Sequence, residues 1–161
     1  MSDIHEQLRA LLDRERAVYR VLEHAPEGRT EVISGLRGNR VEQAIKSIVV
    51  QVRITRKENR YWMVNVPGDC RVDLDSIQAL LNADSVAIAH RDKAEALTGC
   101  VIGAIPPFSF SDQLAVLADP LILENEDVVF NAGRLDRSIF MKSADYVRIA
   151  KPQLAKVGLR G

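Results

Sequence analysis

An α+β fold, a single mixed α/β domain, is what three features of this chain predict. Helix-like and strand-like periodicities alternate irregularly rather than in regular βα units. Two of the strand-like runs flank a short polar turn, as in a hairpin, so antiparallel neighbours are expected in the sheet. At 161 residues the chain has the length of one domain and can bury about 70% of its unfolded surface. No internal repeat, linker or low-complexity stretch divides it, so 1–161 is read as one domain.

Residues 3–16 place Ile4, Leu8, Leu11 and Leu12 at helical spacing behind a Ser2/Asp3 cap, which predicts an amphipathic helix. Residues 18–22 (VYRVL) alternate and are rich in β-formers, a short strand. HAPEGR at 24–29 is a loop by its Pro and Gly. Thr30 caps a short helix broken by Gly35 and Gly38, and 41–45 add another helical turn. The runs 47–54 (SIVVQVRI) and 61–66 (YWMVNV) pair across TRKEN as a hairpin, closed by Pro67-Gly68-Asp69. Asp73 or Asp75 starts a helix carrying Ile77, Leu80 and Leu81. Residues 85–89 (SVAIA) read as a buried strand, 92–97 as a short helix, and the first half of 99–110 as a strand. Further strands are expected at 114–117, 121–123, 128–130 and 138–141. Ser143 caps a last helix, interrupted at Pro152.

A composition of 47% hydrophobic and 27% charged residues, with mean hydropathy −0.08, excludes a disordered tail protein. No apolar run approaches the roughly 20 residues of a membrane helix. The N-terminus lacks the apolar core of a signal peptide, so a cytoplasmic protein is expected. Cys70 and Cys100, without a CxxC, argue against a disulfide framework and fit a reducing compartment.

Twenty-two basic residues balance twenty-two acidic ones, a total that speaks against a nucleic-acid partner until its distribution is counted. Residues 1–28 hold 4 basic and 6 acidic side chains, 29–60 hold 8 and 3, 61–133 hold 3 and 11, and 134–161 hold 7 and 2. Two segments of +5 therefore offset a body of −8. Converging, they form a positive face for phosphates; separately, they are ordinary solvated surfaces, the plainer reading.

The common catalytic signatures are missing: there is no GxSxG, HExxH, Walker loop or GxGxxG. His5, His24 and His90 are too few and too scattered for a metal site, so no metal and no cofactor is expected. Four small features remain. Lys46, in VEQAIKSIVV, either snorkels to water or points its charge into a pocket, to hold a phosphate or polarise a carbonyl. Gly103-Ala104-Ile105-Pro106-Pro107 is either a tight connection or a rigid loop offering backbone groups to a small polar substrate. Phe130-Asn131-Ala132-Gly133 ends a strand in small residues, as a pocket wall or a turn. His24 is a substrate contact or a structural loop histidine, and Asp69 and Asp73 serve a turn and a helix cap.

In order, the His24 loop, the strand entry at Lys46, TGCVIGAIPPFSF at 98–110 and FNAG at 130–133 resemble the YbaK/prolyl-tRNA synthetase-associated domain family. VIGAIPPFSF, ADPL, FNAGRLD and KSADYVRIAKPQL look most like its free-standing YeaK-like branch. The resemblance covers nearly the whole chain and is most specific in the C-terminal half. It implies a curved, barrel-like mixed sheet with flanking helices, and a deacylase acting in trans on mischarged aminoacyl-tRNA. By position, Lys46 corresponds to the family's active-site lysine. Gly103 and Pro107 bracket the GxxxP loop that holds the aminoacyl end, with Ala104 and Pro106 inside it. Asn131, Ala132 and Gly133 correspond to a pocket wall. Synthetase-embedded editing domains carry a histidine near that wall; no histidine follows it here, so that role is not transferred.

The implied chemistry is substrate-assisted hydrolysis of an activated ester, in which the terminal ribose supplies a vicinal hydroxyl to orient or deprotonate water. Lys46 positions the terminal phosphate or the carbonyl, and the Gly103 backbone holds the amino group and the attacking water. Pocket volume discriminates, one methylene being worth about 1–3 kcal/mol, and favours Ala, Ser or Thr. The implied partner is the 3′ aminoacyl end of a mischarged tRNA in transient contact, with room for weak contact with translation factors or synthetases and none with a membrane or metal. The alternative is a module on the same fold that binds an aminoacyl group, a nucleotide or a protein without turnover.

Overall fold

The computed structural model describes residues 3–161. Helix α1 (Ile4–Arg14) starts at Asp3, whose carboxylate accepts the Glu6 N–H. Leu8 and Leu12 on its inner stripe are fully buried. The Ser2 half of the expected cap lies outside the described residues. Strand β1 (Tyr19–Glu23) follows, then the 24–29 loop and α2 (Thr30–Arg37). Arg29 is the cap of α2 and Gly35 stays inside it; the helix stops at Gly38. Only Val41–Gln43 make the next turn, a 3₁₀ one.

The hairpin is present as β2 (Ile45–Thr55) and β3 (Glu58–Pro67), running from Ile45 opposite Pro67 to Thr55 opposite Glu58. Its strands extend into TRKEN from both sides. Gly68-Asp69 turn the chain into β4 (Cys70–Val72), and Asp73 caps α3 (Leu74–Leu81) by accepting the Ser76 N–H. Next come β5 (Ser85–Ile88), α4 (Arg91–Thr98), β6 (Leu114–Ala118), β7 (Asp127–Arg134), β8 (Arg137–Lys142) and α5 (Ser143–Ala150). Lys142, not Ser143, is the cap of α5. Two short strands end the chain, β9 (Gln153–Leu154) and β10 (Gly158–Arg160).

Five strands form one sheet in the order β5-β2-β3-β6-β9, with β6 parallel to both of its neighbours. Three form an antiparallel sheet, β1-β8-β7, and β10 pairs with β4. An isolated parallel bridge from Ala44 to Val129 ties the entrance of β2 to β7. The barrel-like sheet implied by the resemblance is thus divided by hydrogen bonding, its two larger parts meeting at that seam. One core cluster lies between α1, α5 and the three-stranded sheet, where Phe108 packs against Phe130 and edge-on against Tyr146. Another lies under the hairpin and α3. Asp119 anchors the C-terminal strands: its buried carboxylate accepts N–H groups from Leu121, Val157 and Gly158.

Three of the expected strands are corrected. Residues 85–89 are not a buried strand. β5 is an edge with only β2 beside it, and Ile88 is 54% exposed; an apolar run does not record how many neighbours a strand has. Residues 121–123 form a 3₁₀ helix, Pro120–Glu124, because the Asp119 cap and Pro120 at the first position outweigh the apolar run. No strand forms in 99–110, which is irregular throughout.

Candidate active site

A cleft opens at the seam between the two larger sheets, with about 400 Å³ of empty space including its solvent-open mouth. From β2 and its approach come Ala44, Ile45, Lys46 and Ser47. From α2 come Thr30, Ile33 and Arg37, which lie three and four residues apart and so share one helix face. Gly28, Gly103, Ile105 and Asn131 complete the wall.

Lys46 is half-buried, and no hydrogen-bond or ion-pair partner is found for it among the described residues. Arg37 faces the same space without a carboxylate. Its Nε donates to Asn39 Oδ1 at 3.0 Å and its Nη1 to Ser138 Oγ at 3.0 Å. Burial pulls the Arg37 guanidinium down to about 10, which leaves it charged at neutral pH. No acidic side chain lines the cleft. The walls therefore carry two unneutralised cations.

Asn131 is the brace of the site. Its Nδ2 donates to the Gly103 carbonyl at 2.8 Å and to the Glu27 carbonyl at 2.9 Å, while its Oδ1 accepts from Ser138 Oγ at 3.1 Å. Gly103 adopts φ +92°, and its Cα side lies against the backbone of Gly28. Only glycine meets both conditions without strain. The 103–107 loop is thereby clamped to the 24–29 loop and to β7.

Of the residues expected from sequence, Lys46, Gly103 and Asn131 converge on the cleft. The others stand behind it. The His24 ring lies 2.7 Å from Ser138 Oγ and donates from Nδ1 to the Ala25 carbonyl, so it reaches the cleft only through Ser138. Ala104 is fully buried and its carbonyl accepts the Gly133 N–H. Pro106 and Pro107 are buried, and the Pro107 carbonyl accepts from Asn65 Nδ2. The Ala132 carbonyl accepts from His5 Nδ1 at 2.7 Å, and Gly133 packs against the His5 backbone. The strand does not end at Phe130: β7 runs on to Arg134 through an irregularity between Asn131 and Arg134. Sequence reasoning missed Thr30, Ile33, Arg37, Ala44, Ile45 and Ser47. The one signal for three of them was the helical spacing 30, 33, 37.

The second basic segment adds no side chain to the cleft, and five of its seven basic residues are already paired. Arg134, Arg137, Lys142, Arg148 and Arg160 are in ion pairs, with Asp3, Glu23, Glu126, Asp145 and Asp69 among their partners. The unpaired charge at the cleft comes from the first segment alone.

Neither cysteine belongs to the site. Burial pushes the Cys100 thiol up to about 12 and raises that of Cys70, where the Asp69 charge adds to the effect. At pH 8 the native protein is expected to react with a thiol-specific disulfide reagent about tenfold or more slower than the unfolded chain, read from the released chromophore.

Chemically, the cleft holds and polarises rather than attacks. Its hydroxyls, on Thr30 and Ser47, have no imidazole or carboxylate beside them to activate them. Fold and cleft together define a single mixed α/β domain that offers a small ligand positive charge, two hydroxyls and a compact apolar wall. Residues 24–149 match the aminoacyl-tRNA editing domain model, and the chain belongs to that family. The chain is 39% identical over 154 residues to the multifunctional Ser/Thr-tRNA deacylase ProXp-y of Escherichia coli (strain K12), covering 95% of this chain and 92% of that one. It resembles the solved structure of a hypothetical protein, APE2540, with TM-score 0.86 and 19% identity over 95% of this chain and 99% of that one. A structure assigned provisionally as a trans-editing enzyme for prolyl tRNA synthetase matches with TM-score 0.79 and 20% identity over 99% of both chains. At such identities the two structures speak for the fold. The family resemblance read from the motifs is borne out by the model match.

Proposed function

We propose that this protein hydrolyses the ester of mischarged tRNA carrying a small amino acid, acting in trans as a free-standing deacylase. The observation that carries the reading is the pair of unneutralised cations, Lys46 and Arg37, in an acid-free cleft whose far wall is the clamped Gly103 loop. An aminoacyl-tRNA end brings a phosphate and an ester whose carbonyl oxygen gains negative charge as water adds. Both suit that cleft. Lys46, whose side chain has no partner among the described residues, meets the phosphate or the carbonyl oxygen; Arg37, braced by Asn39 and Ser138, adds a second positive charge.

Water attacks the carbonyl carbon, the bond to the ribose oxygen breaks, and that oxygen leaves with a proton. With no activated side chain in the cleft, the neighbouring ribose hydroxyl is the group that orients the water. The 103–107 loop holds the aminoacyl group, while Ile33, Ala44, Ile45 and Ile105 limit its size. The whole of 1–161 acts as one editing unit, since α1 and the segment after 149 share the cores of the matched segment, and it does so in the cytoplasm. Contacts with tRNA, and with any synthetase or translation factor, are weak and transient.

The test is deacylation of a panel of tRNAs charged with Ala, Ser, Thr and Cys. Turnover is expected on seryl- and threonyl-tRNA, with residual activity on alanyl-tRNA. No turnover on any member would sink the deacylase reading and leave a binding module.

A further inference from the structure

Among the described residues, two buried side-chain atoms have no hydrogen-bond partner: Ser47 Oγ and Asn65 Oδ1. They are not independent. Ser47 stands directly opposite Asn65 in the β2–β3 register, so both side chains leave the same face of the hairpin. Ser47 lines the cleft, and Asn65 is fully buried. The Asn65 amide is oriented by its other end, since Nδ2 donates to the Pro107 carbonyl at 3.1 Å and to Tyr146 Oη at 2.7 Å. Both amide protons are used. Oδ1 is left as an acceptor with no donor.

Orphaned polar atoms are costly in a folded interior, and two facing each other across one hairpin call for a third group that satisfies both. Asn65 Oδ1 needs a donor, and Ser47 Oγ can donate or accept. In the free protein a water can fill that role. A neutral hydroxyl meets both needs, accepting from Ser47 Oγ and donating to Asn65 Oδ1.

We infer that Ser47 and Asn65 form the subsite for the side-chain hydroxyl of the aminoacyl group, so that seryl and threonyl esters are chosen by a polar contact as well as by size. Ser47 is the specificity-determining residue at the wall, and Asn65 is the acceptor behind it. The inference rests on the deacylase reading of the cleft and adds which residues read the amino acid. It also ties that readout to the 103–107 loop, because the same Asn65 amide holds the Pro107 carbonyl. A site built to bond a hydroxyl discriminates against an analogue lacking one far better than a purely apolar pocket does.

The test compares wild type, Ser47→Ala and Ser47→Thr on seryl and 2-aminobutyryl esters of one tRNA. The 2-aminobutyryl group keeps the shape of seryl with a methyl for the hydroxyl. Binding of the non-hydrolysable 3′-amide-linked adenosine analogues of both is measured by calorimetry. Wild type is expected to favour the seryl member by about tenfold or more in kcat/KM and Kd. That ratio falls to near one in Ser47→Ala and is retained in Ser47→Thr. An unchanged ratio in Ser47→Ala, or no preference in wild type, overturns the subsite while leaving deacylation intact. Ser47-dependent binding of the seryl amide without hydrolysis of either ester overturns the deacylase reading and upholds the subsite. Neither binding nor hydrolysis overturns both.

Discussion

Lys46→Ala is expected to lower kcat/KM for a mischarged seryl-tRNA by about 10²–10³-fold, the usual cost of removing one preorganised charge from a reacting centre. The same change is expected to leave the fold intact. Lys46 has no hydrogen-bond or ion-pair partner among the described residues, so its removal orphans nothing. It stands on the same wall as Arg37, and two like charges in a half-buried cleft repel one another. The melting temperature should therefore stay level or rise as activity falls. That divergence marks a side chain kept for chemistry at no gain to stability. Lys46→Arg separates charge from shape, since a planar guanidinium keeps the charge but not the compact ammonium. Single-turnover deacylation and a thermal melt on the same preparations decide the matter. Undiminished turnover in Lys46→Ala would remove the residue from the mechanism.

Gly103→Ala is expected to destabilise the protein by about 2–4 kcal/mol, combining positive-φ strain with overpacking. The added Cβ would stand 2.8 Å from Gly28 Cα and 3.2 Å from the Gly28 carbonyl oxygen. Those are backbone atoms, so no side chain can swing aside to relieve the overlap. The loop must lift away, which breaks the bond from Asn131 Nδ2 to the Gly103 carbonyl. Activity should then be lost even at temperatures where the chain remains folded. The control is Gly35→Ala, inside α2, where nothing lies within 4 Å of the new Cβ. There the helix should gain about 0.5–1 kcal/mol. Denaturant midpoints of the two variants should move in opposite directions. A Gly103→Ala midpoint within error of wild type would refute the close packing of the two loops.

The hairpin was legible because its two strands alternate and its turn is polar, signals that belong to neighbouring residues. The α1 stripe was legible for the same reason. The short strands β4, β9 and β10 were not. Each has two or three residues and exists only because a distant segment pairs with it, as Gly158 does with Val72. The edge position of β5 was hidden likewise. At the site, Lys46 stood out as a charge leading an apolar strand, and Gly103 as a glycine ahead of two prolines. Arg37 and Ser47 carried no such mark, being an arginine near a helix end and a serine in a strand. His24 was marked by its loop, yet its ring is turned to Ser138 and lies behind the cleft.

The amino-acid sequence alone determined the class of fold and the family, and it singled out Lys46 and Gly103, on which the proposed reaction rests. Period, turn chemistry and motif order are local properties and survive in one dimension. It also showed that a net charge of zero conceals two basic segments. Which of those segments matters was decided only by tertiary structure. Five basic side chains of the C-terminal segment are paired with carboxylates, four of those pairs bringing in acids from before residue 134, while Lys46 and Arg37 meet none. The same holds for the unmet hydrogen-bonding atoms of Ser47 and Asn65. Pairing is a matter of distance in space, and the fold sets that distance by bringing β2, α2, β7 and the 103–107 loop to one seam.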